Sequence, residues 1–357
     1  MLKTLRYLLL VVSIASQSCC KTDCDNKSDG DNQPTPYNLI VPSPLPPLAE
    51  PPDNPLTVEG VALGRKLFYE PLLSADGTQS CSSCHNQFKG FTDPSQFSTG
   101  IDGVQGDRNA MVLFNLAWSP SLFWDGRANS LEEQALEPIN NPIEMHDNWL
   151  NVADKLNTHS NYPSLFKKAF NIDQIDSSHV VKALAQFERT LVSGNSKFDK
   201  FSRGETILTD QELRGFDLFN TEGPYDGADC FHCHTAPHFT DFTFHNNGLD
   251  DDISAVDLGL FNVTQNEFDK GKFKTPTLRN IEVSGPYMHD GRFETLEEVL
   301  AHYISGGTTS STLDPLMFHS GTGLFLSEPD KQALLAFLRT LTDEEFLNNP
   351  QFSNPFE

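Results

Sequence analysis

A mainly α protein built of two related domains is what the sequence predicts, and three observations carry the prediction. The run Cys81-Ser82-Ser83-Cys84-His85 has a counterpart in Cys230-Phe231-His232-Cys233-His234. The surroundings repeat as well. Gly64-Arg65-Lys66-Leu67-Phe68 precedes the first run and Gly215-Phe216-Asp217-Leu218-Phe219 the second, while Arg108-Asn109 and Arg279-Asn280 follow them. Further on, Asp125-Gly126-Arg127-Ala128-Asn129-Ser130-Leu131-Glu132-Glu133 matches Asp290-Gly291-Arg292-Phe293-Glu294-Thr295-Leu296-Glu297-Glu298. Self-similarity over such a span reads as duplication followed by divergence. Third, apolar residues recur at helical spacing around both runs, and strand signals are weak throughout.

Residues 1–19 read as an export signal: Lys3 and Arg6, an apolar run over 8–14 too short to span a membrane, then small residues up to Cys19. Ser16-Gln17-Ser18-Cys19 resembles a loose lipobox, so Cys19 is the candidate lipidated residue and the expectation is a periplasmic lipoprotein, anchored to a membrane and not embedded in it. An ordinary cleaved signal followed by stray cysteines is the alternative. Residues 20–55 are rich in Asp, Asn, Ser and Pro, with Pro42, Pro44, Pro46, Pro47, Pro51 and Pro52 close together, and predict a tether. The two domains are then expected over 56–205 and 206–349.

Within them, Val180, Val181, Leu184, Phe187 and Leu191 mark an amphipathic helix ended near Gly194. Leu213, Phe216 and Phe219 mark another, entering the second cysteine run. Leu334, Leu335, Phe337, Leu338 and Leu341 form a closing helix capped by Ser327. Ser130 with Glu133, and Thr295 with Glu298, are capping boxes that start helices directly after each Asp-Gly-Arg turn.

C-x-x-C-H is the attachment signal for c-type haem. Two thiols on one turn form thioethers to the haem vinyl groups, and the adjoining imidazole binds the iron from one side. Cys81, Cys84, Cys230 and Cys233 are therefore candidate attachment residues, with His85 and His234 as iron ligands. One Cys₄ zinc site made of two C-x-x-C knuckles is the alternative; it leaves the His after each second Cys unexplained. Of seven cysteines, the remaining Cys19, Cys20 and Cys24 sit at the leader junction, so no pair is left for a disulfide in the folded body. Helix, C-x-x-C-H, loop, helix is the order of a class I cytochrome c domain. The fold expected is thus two class I cytochrome c-like domains, each with one covalently bound c-type haem. A formal charge of −24 argues against nucleic-acid binding, though a basic redox partner could exploit it.

The repeat also marks where the halves differ. Thirteen residues after Asp290 stands Tyr303; thirteen after Asp125 stands Pro138. Tyr303 shares an apolar helical stripe with Leu296, Val299 and Leu300, so it is either a core residue or a phenolate ligand to the second iron. Proline cannot ligate, so if this position faces the haem the second iron is capped and the first is open. Met288, Met317 and His302 are rival ligands for the second. An open iron needs a nearby group that takes a proton from one oxygen of peroxide and returns it to the other. Glu144, between Ile143 and Met145 where burial would raise its pKa, is the candidate, with Gln134 nearby in sequence. Trp124, just before Asp125, is either a relay between the haems or simple packing.

Taken together these residues resemble the bacterial di-haem cytochrome c peroxidases, in particular their MauG-like branch. The likeness covers about residues 56–342 and rests on both C-x-x-C-H runs, Arg108-Asn109-Ala110, Phe123-Trp124-Asp125-Gly126-Arg127, Pro276-Thr277-Leu278-Arg279-Asn280 and Pro286-Tyr287-Met288-His289-Asp290-Gly291. The resemblance implies a peroxidatic haem on His85, with Gln134 and Glu144 in its distal pocket and Glu144 as acid–base catalyst. It implies an electron-transfer haem on His234 and Trp124 bridging towards it. A calcium ion between the domains would be held by the Asn109 side chain and the carbonyls of Ser284, where the family has threonine, and Pro286; oxygen ligands suit calcium.

Two departures from the standard peroxidase pattern are similar to those of the MauG-like branch. The standard peroxidase caps its resting peroxidatic iron with a His sixteen residues after the proximal one, and that position is Ile101 here. It caps the second iron with Met where this chain has Tyr303. A phenolate lowers the potential of a haem that Met would raise.

The expected function is therefore a di-haem peroxidase reducing hydrogen peroxide to water, fed by a small redox protein, a cytochrome c or a cupredoxin. The alternative is a MauG-like oxidase spending the same oxidising equivalents on a protein or small organic substrate. A non-catalytic di-haem electron carrier would need both irons capped. A homodimer is expected only by analogy with the family.

Overall fold

The computed structural model describes residues 33–317 and 319–357. Eleven α-helices lie among them: α1 (Val58–Phe68), α2 (Leu131–Asn140), α3 (Trp149–Thr158), α4 (Tyr162–Phe170), α5 (Ser177–Thr190), α6 (Lys197–Ser202), α7 (Asp210–Phe219), α8 (Phe261–Thr264), α9 (Leu296–Ser305), α10 (Glu328–Arg339) and α11 (Glu344–Leu347). The one sheet among the described residues is a two-residue pairing of β1 (Phe244–His245) with β2 (Phe273–Lys274), antiparallel. The fold is mainly helical, as the apolar periodicity predicts. No helix among the described residues is long and apolar enough to cross a membrane.

The repeat in sequence has a repeat in geometry. Helix α1 packs against α5 across Gly64, where a Cβ would stand 1.9 Å from the Ala183 carbonyl oxygen and 2.9 Å from the Phe187 Cβ. Helix α7 packs against α10 across Gly215, where a Cβ would meet the Ala333 carbonyl oxygen at 1.9 Å and the Phe337 Cβ at 2.8 Å. Only glycine permits either approach. Each Asp-Gly-Arg turn is closed by a bridge, Leu122 to Ala128 and Tyr287 to Phe293. Two large apolar clusters result, beside a small one of Leu122, Ala128, Leu131 and Ala185. One gathers Leu63, Phe68, Phe91, Phe166 and Phe187, and the other gathers Phe198, Phe219, Phe239, Phe337 and Leu338. At roughly 1.5–3 kcal/mol per buried large side chain, these rings are the main stabilising term of each half.

Capping follows the sequence with one change. Thr295 and Glu298 form the full reciprocal box at α9. At α2 the Ser130 side chain accepts the Glu133 N–H, but the Glu133 carboxylate takes the N–H of Asn129 instead of that of Ser130. Ser327 caps α10 as expected. Helix α5 stops at Thr190, short of Gly194; Leu191 stays buried and so extends the apolar periodicity beyond the helix.

The segments on either side of the helical body pack back onto it. Residues 33–55, read as part of a tether, are docked on the body where they are described. The Thr35 N–H and hydroxyl both bond the Glu59 carboxylate, the Tyr37 N–H bonds the Leu56 carbonyl, and Leu45 is buried near Gly194. At the other end the chain leaves α10 and returns to the first half, where Phe346, Leu347 and Phe352 enter its apolar cluster. The Arg65 guanidinium holds that return by the carbonyls of Pro350 and Ser353. Cys19 and the leader lie outside the described residues.

The junction of the halves is polar and buried. Arg279, 0% exposed, makes a two-pronged pair with Asp199 at 2.8 and 2.9 Å and also donates to the Pro237 carbonyl. Asn280 donates to the Ser193 hydroxyl and accepts the Asp343 N–H.

Candidate haem sites and the cavity beside them

Each cysteine run forms one tight turn, Cys81–Ser83 and Cys230–His232, closed by the His85 N–H on the Cys81 carbonyl and the His234 N–H on the Cys230 carbonyl, both 3.0 Å. All four thiols are free of disulfides. The imidazoles are set alike: His85 Nδ1 lies 2.7 Å from the Phe91 carbonyl and His234 Nδ1 lies 3.2 Å from that of Phe239. A carbonyl only accepts, so each Nδ1 carries the proton and each Nε2 presents its lone pair, the state a metal needs. Burial lowers both pKa values, that of His234 to about 4, and keeps the rings neutral.

A cavity of about 280 Å³ opens beside the second run. Cys230, Cys233 and His234 line it, with an apolar wall from Leu296, Val299, Leu300, Leu334 and Leu338. Tyr303 is on that wall. Its oxygen accepts a 3.1 Å hydrogen bond from Asn247 Nδ2, and burial pushes the phenol up to about 12. Met288 and Met317 line the same cavity, the Met288 sulfur 3.6 Å from Asn247 Nδ2. His302 is turned to the Asn247 carbonyl at 3.0 Å. At the corresponding place in the first half, Pro138 lies within α2 and offers no donor.

Trp124 belongs to the same cavity, 8% exposed, its Nε1 donating to the Asn109 carbonyl at 2.8 Å and its own carbonyl taking the Lys274 N–H at 2.9 Å. It thereby ties one half to the other. Asn109, Ser284 and Pro286 line this cavity too. Asn109 donates through Nδ2 to the carbonyls of Ser95 and Gln96, and among the described residues its Oδ1 accepts no hydrogen bond.

Beside the first run, Glu144 is half-buried. Burial raises its pKa, against a 2.6 Å hydrogen bond from Asn141 Nδ2 to its carboxylate. Burial also raises the Cys81 thiol, followed in size by the charge of Glu188, with Glu144 contributing; Glu144 acts on Cys84 as well. The Ile101 N–H bonds the Glu144 carbonyl at 3.0 Å, and Gly100 sits so close to the Ile143 carbonyl that a Cβ would stand 2.2 Å from it. The Ile101 loop is thus laid against the Glu144 loop. Gln134 stands half-exposed on α2, and no hydrogen bond among the described residues joins its side chain to Glu144.

The residues fit haem and not zinc. The four cysteines do not converge: the one cluster of three such donors among the described residues is Cys233, Asp241 and His245. There His245 is clamped by Asp314 at 2.6 Å and Asp241 at 2.8 Å, and the Asp241 hydrogen bond leads in pushing its pKa to about 11. The sequence reading missed His245 and Asn247, because Phe244-His245-Asn246-Asn247-Gly248 has no periodicity or known spacing to draw attention.

A family model for di-haem cytochrome c peroxidase matches residues 58–207. The methylamine utilization protein MauG of Methylorubrum extorquens is 41% identical over 295 residues, covering 82% of this chain and 80% of that protein. The chain belongs to the di-haem cytochrome c peroxidase family. Cytochrome c551 peroxidase of Nitrosomonas europaea is 36% identical over 306 residues, 85% of this chain and 84% of that one. A crystal structure of a MauG-like protein associated with microbial copper homeostasis superposes with a TM-score of 0.84 at 35% identity, covering 90% of this chain and all of the other. As a member of the di-haem cytochrome c peroxidase family, the protein is a peroxide-dependent oxidoreductase carrying two c-type haems.

Proposed function

We propose that residues 56–205 and 206–349 are duplicated haem c domains and that hydrogen peroxide is reduced at the haem held by Cys81, Cys84 and His85. Cys230, Cys233 and His234 would hold the second haem, which would supply the electrons, and Trp124, bonded to Asn109 on one side and Lys274 on the other, would link the two halves. The balance is one peroxide, two electrons and two protons to two waters. The haem supplies the electron transfer and the oxygen–oxygen cleavage. Glu144 takes the proton from one peroxide oxygen and delivers it to the departing one, and its burial brings its affinity for the proton closer to that task. The calcium ion is assigned to Asn109 Oδ1 and the carbonyls of Ser284 and Pro286, in a periplasmic enzyme anchored through Cys19.

One observation carries the reading: the Ile101 loop lies on the Glu144 loop with a side chain that cannot ligate iron. The same observation, with Tyr303 on the wall of the cavity beside the second cysteine run, favours the MauG-like variant, in which the equivalents go to a protein or small organic substrate. An optical and EPR titration of the fully ferric holoprotein with peroxide, with no reductant present, tests it. Reaction at a high-spin haem is expected at once. No reaction until one haem has been reduced would overturn the open-iron reading.

Tyr303→Phe should move the second haem's optical and EPR signature from six- towards five-coordinate. An unaltered six-coordinate spectrum would make Tyr303 a packing residue and pass the role to Met288 or Met317.

A further inference from the structure

The cavity beside Cys230, Cys233 and His234 has a polar wall that the proposed chemistry leaves unused. Lys274 lies on it, 5% exposed. Its ammonium has a single hydrogen bond, a long one of 3.4 Å to the Phe242 carbonyl, and stands 5.0 Å over the Phe242 ring. Phe242 packs against His238 at 5.2 Å between centroids, and His238 against Trp118 at 5.2 Å. His238 is 9% exposed, and its Nδ1 has no hydrogen-bond partner; nor has the buried Nε1 of Trp118. One contiguous row therefore carries three buried nitrogens without a good hydrogen-bond partner, with Lys274 and His238 on the cavity's lining and Trp118 packed against His238. Burial works against the charge on two of them, holding Lys274 near 8 and His238 near 4.

Buried ammonium groups are rarely left without a partner, and an unmet buried donor is costly. A ligand that fills the cavity and offers acceptor oxygens would complete this row, beside the Asp241 charge that already favours the Lys274 ammonium. Haem meets each condition. Its vinyl groups and its two propionates lie on different edges of the ring, so a haem tied by its vinyl edge to Cys230 and Cys233 presents carboxylates away from the cysteines.

We propose that Lys274, His238 and Trp118 hold the propionates of the haem attached at Cys230 and Cys233. The proposal rests on the two-haem reading and deepens it. Trp118 comes from the first half and the other two from the second, so the cofactor becomes a bridge between them. Lys274 is a positioning residue that also compensates propionate charge.

The test uses the holoprotein as wild type, Lys274→Met, Lys274→Arg and Trp118→Phe, with haem content from the pyridine haemochrome and a spectroelectrochemical midpoint for each haem. With two haems per chain, Lys274→Met should lower the midpoint of the Tyr303-side haem, because an uncompensated carboxylate favours ferric iron. Lys274→Arg should restore it, and Trp118→Phe should give a smaller fall. Two haems with an unchanged midpoint would overturn the proposal, as would a shift confined to the other haem. Fewer than two haems in the wild type would overturn the reading beneath it.

Discussion

Replacing Glu144 with Gln is expected to slow peroxide reduction by about 10²–10⁴-fold, the usual contribution of a positioned acid–base group. The change is nearly isosteric. The Asn141 amide can still donate to the Gln side-chain oxygen as it does to the carboxylate at 2.6 Å, so the loop and the Ile101 contact are retained and the lost element is the proton carrier. Wild-type rate should fall as pH drops through the Glu144 pKa, because only the ionised carboxylate can accept the first proton. Burial raises that pKa, which puts the acid limb above the ordinary glutamate range. The limb should be absent in the Gln variant. Stopped-flow peroxide kinetics from pH 4 to 8 would read both effects, and an unchanged rate would remove Glu144 from the chemistry.

The largest loss of stability is expected from Arg279→Met, roughly 3–5 kcal/mol, since removing one partner leaves an uncompensated buried charge. Asp199 is 0% exposed and depends on the two guanidinium bonds at 2.8 and 2.9 Å. In the wild type, burial raises the Asp199 pKa but the Arg279 bonds outweigh it and leave the group depressed. A depressed carboxylate adds stability that is present above its unfolded pKa and lost as pH falls through the folded one. Without Arg279 the burial effect is unopposed and the folded pKa rises. The variant's deficit should then grow as pH rises above the unfolded value, and shrink in acid. Urea midpoints at pH 4 and pH 7 would show this. Equal deficits at both would place the damage in lost packing.

Chemistry was more legible in the sequence than assembly. Cys81, Cys84, His85 and their counterparts stand at fixed short spacing, and the turns at Asp125 and Asp290 announce the next helix by local capping. Such signals need no knowledge of distant contacts. The contacts of residues 33–55 do: nothing in a Pro-rich run tells that Glu59 bonds Thr35 or that Pro42 and Leu45 pack near Gly194. The return of Phe346, Leu347 and Phe352 to the first half was invisible for the same reason. Lys274, His238 and Trp118 carry no motif, and the row they form through Phe242 is assembled only when the two halves meet. The Tyr303 position was found by comparing the two copies, a signal a single haem domain would not have offered.

That return joins distant parts of the sequence. The first half draws Phe346, Leu347 and Phe352 into the same cluster as Leu63 and Phe68, so its interior closes only once segments far apart in sequence have met. The entropy of closing so long a loop is spent before the contact repays it. The two cysteine turns, held by hydrogen bonds between near neighbours, carry no such cost, and the apolar cluster packed around Cys81 is the slower part of the fold to complete.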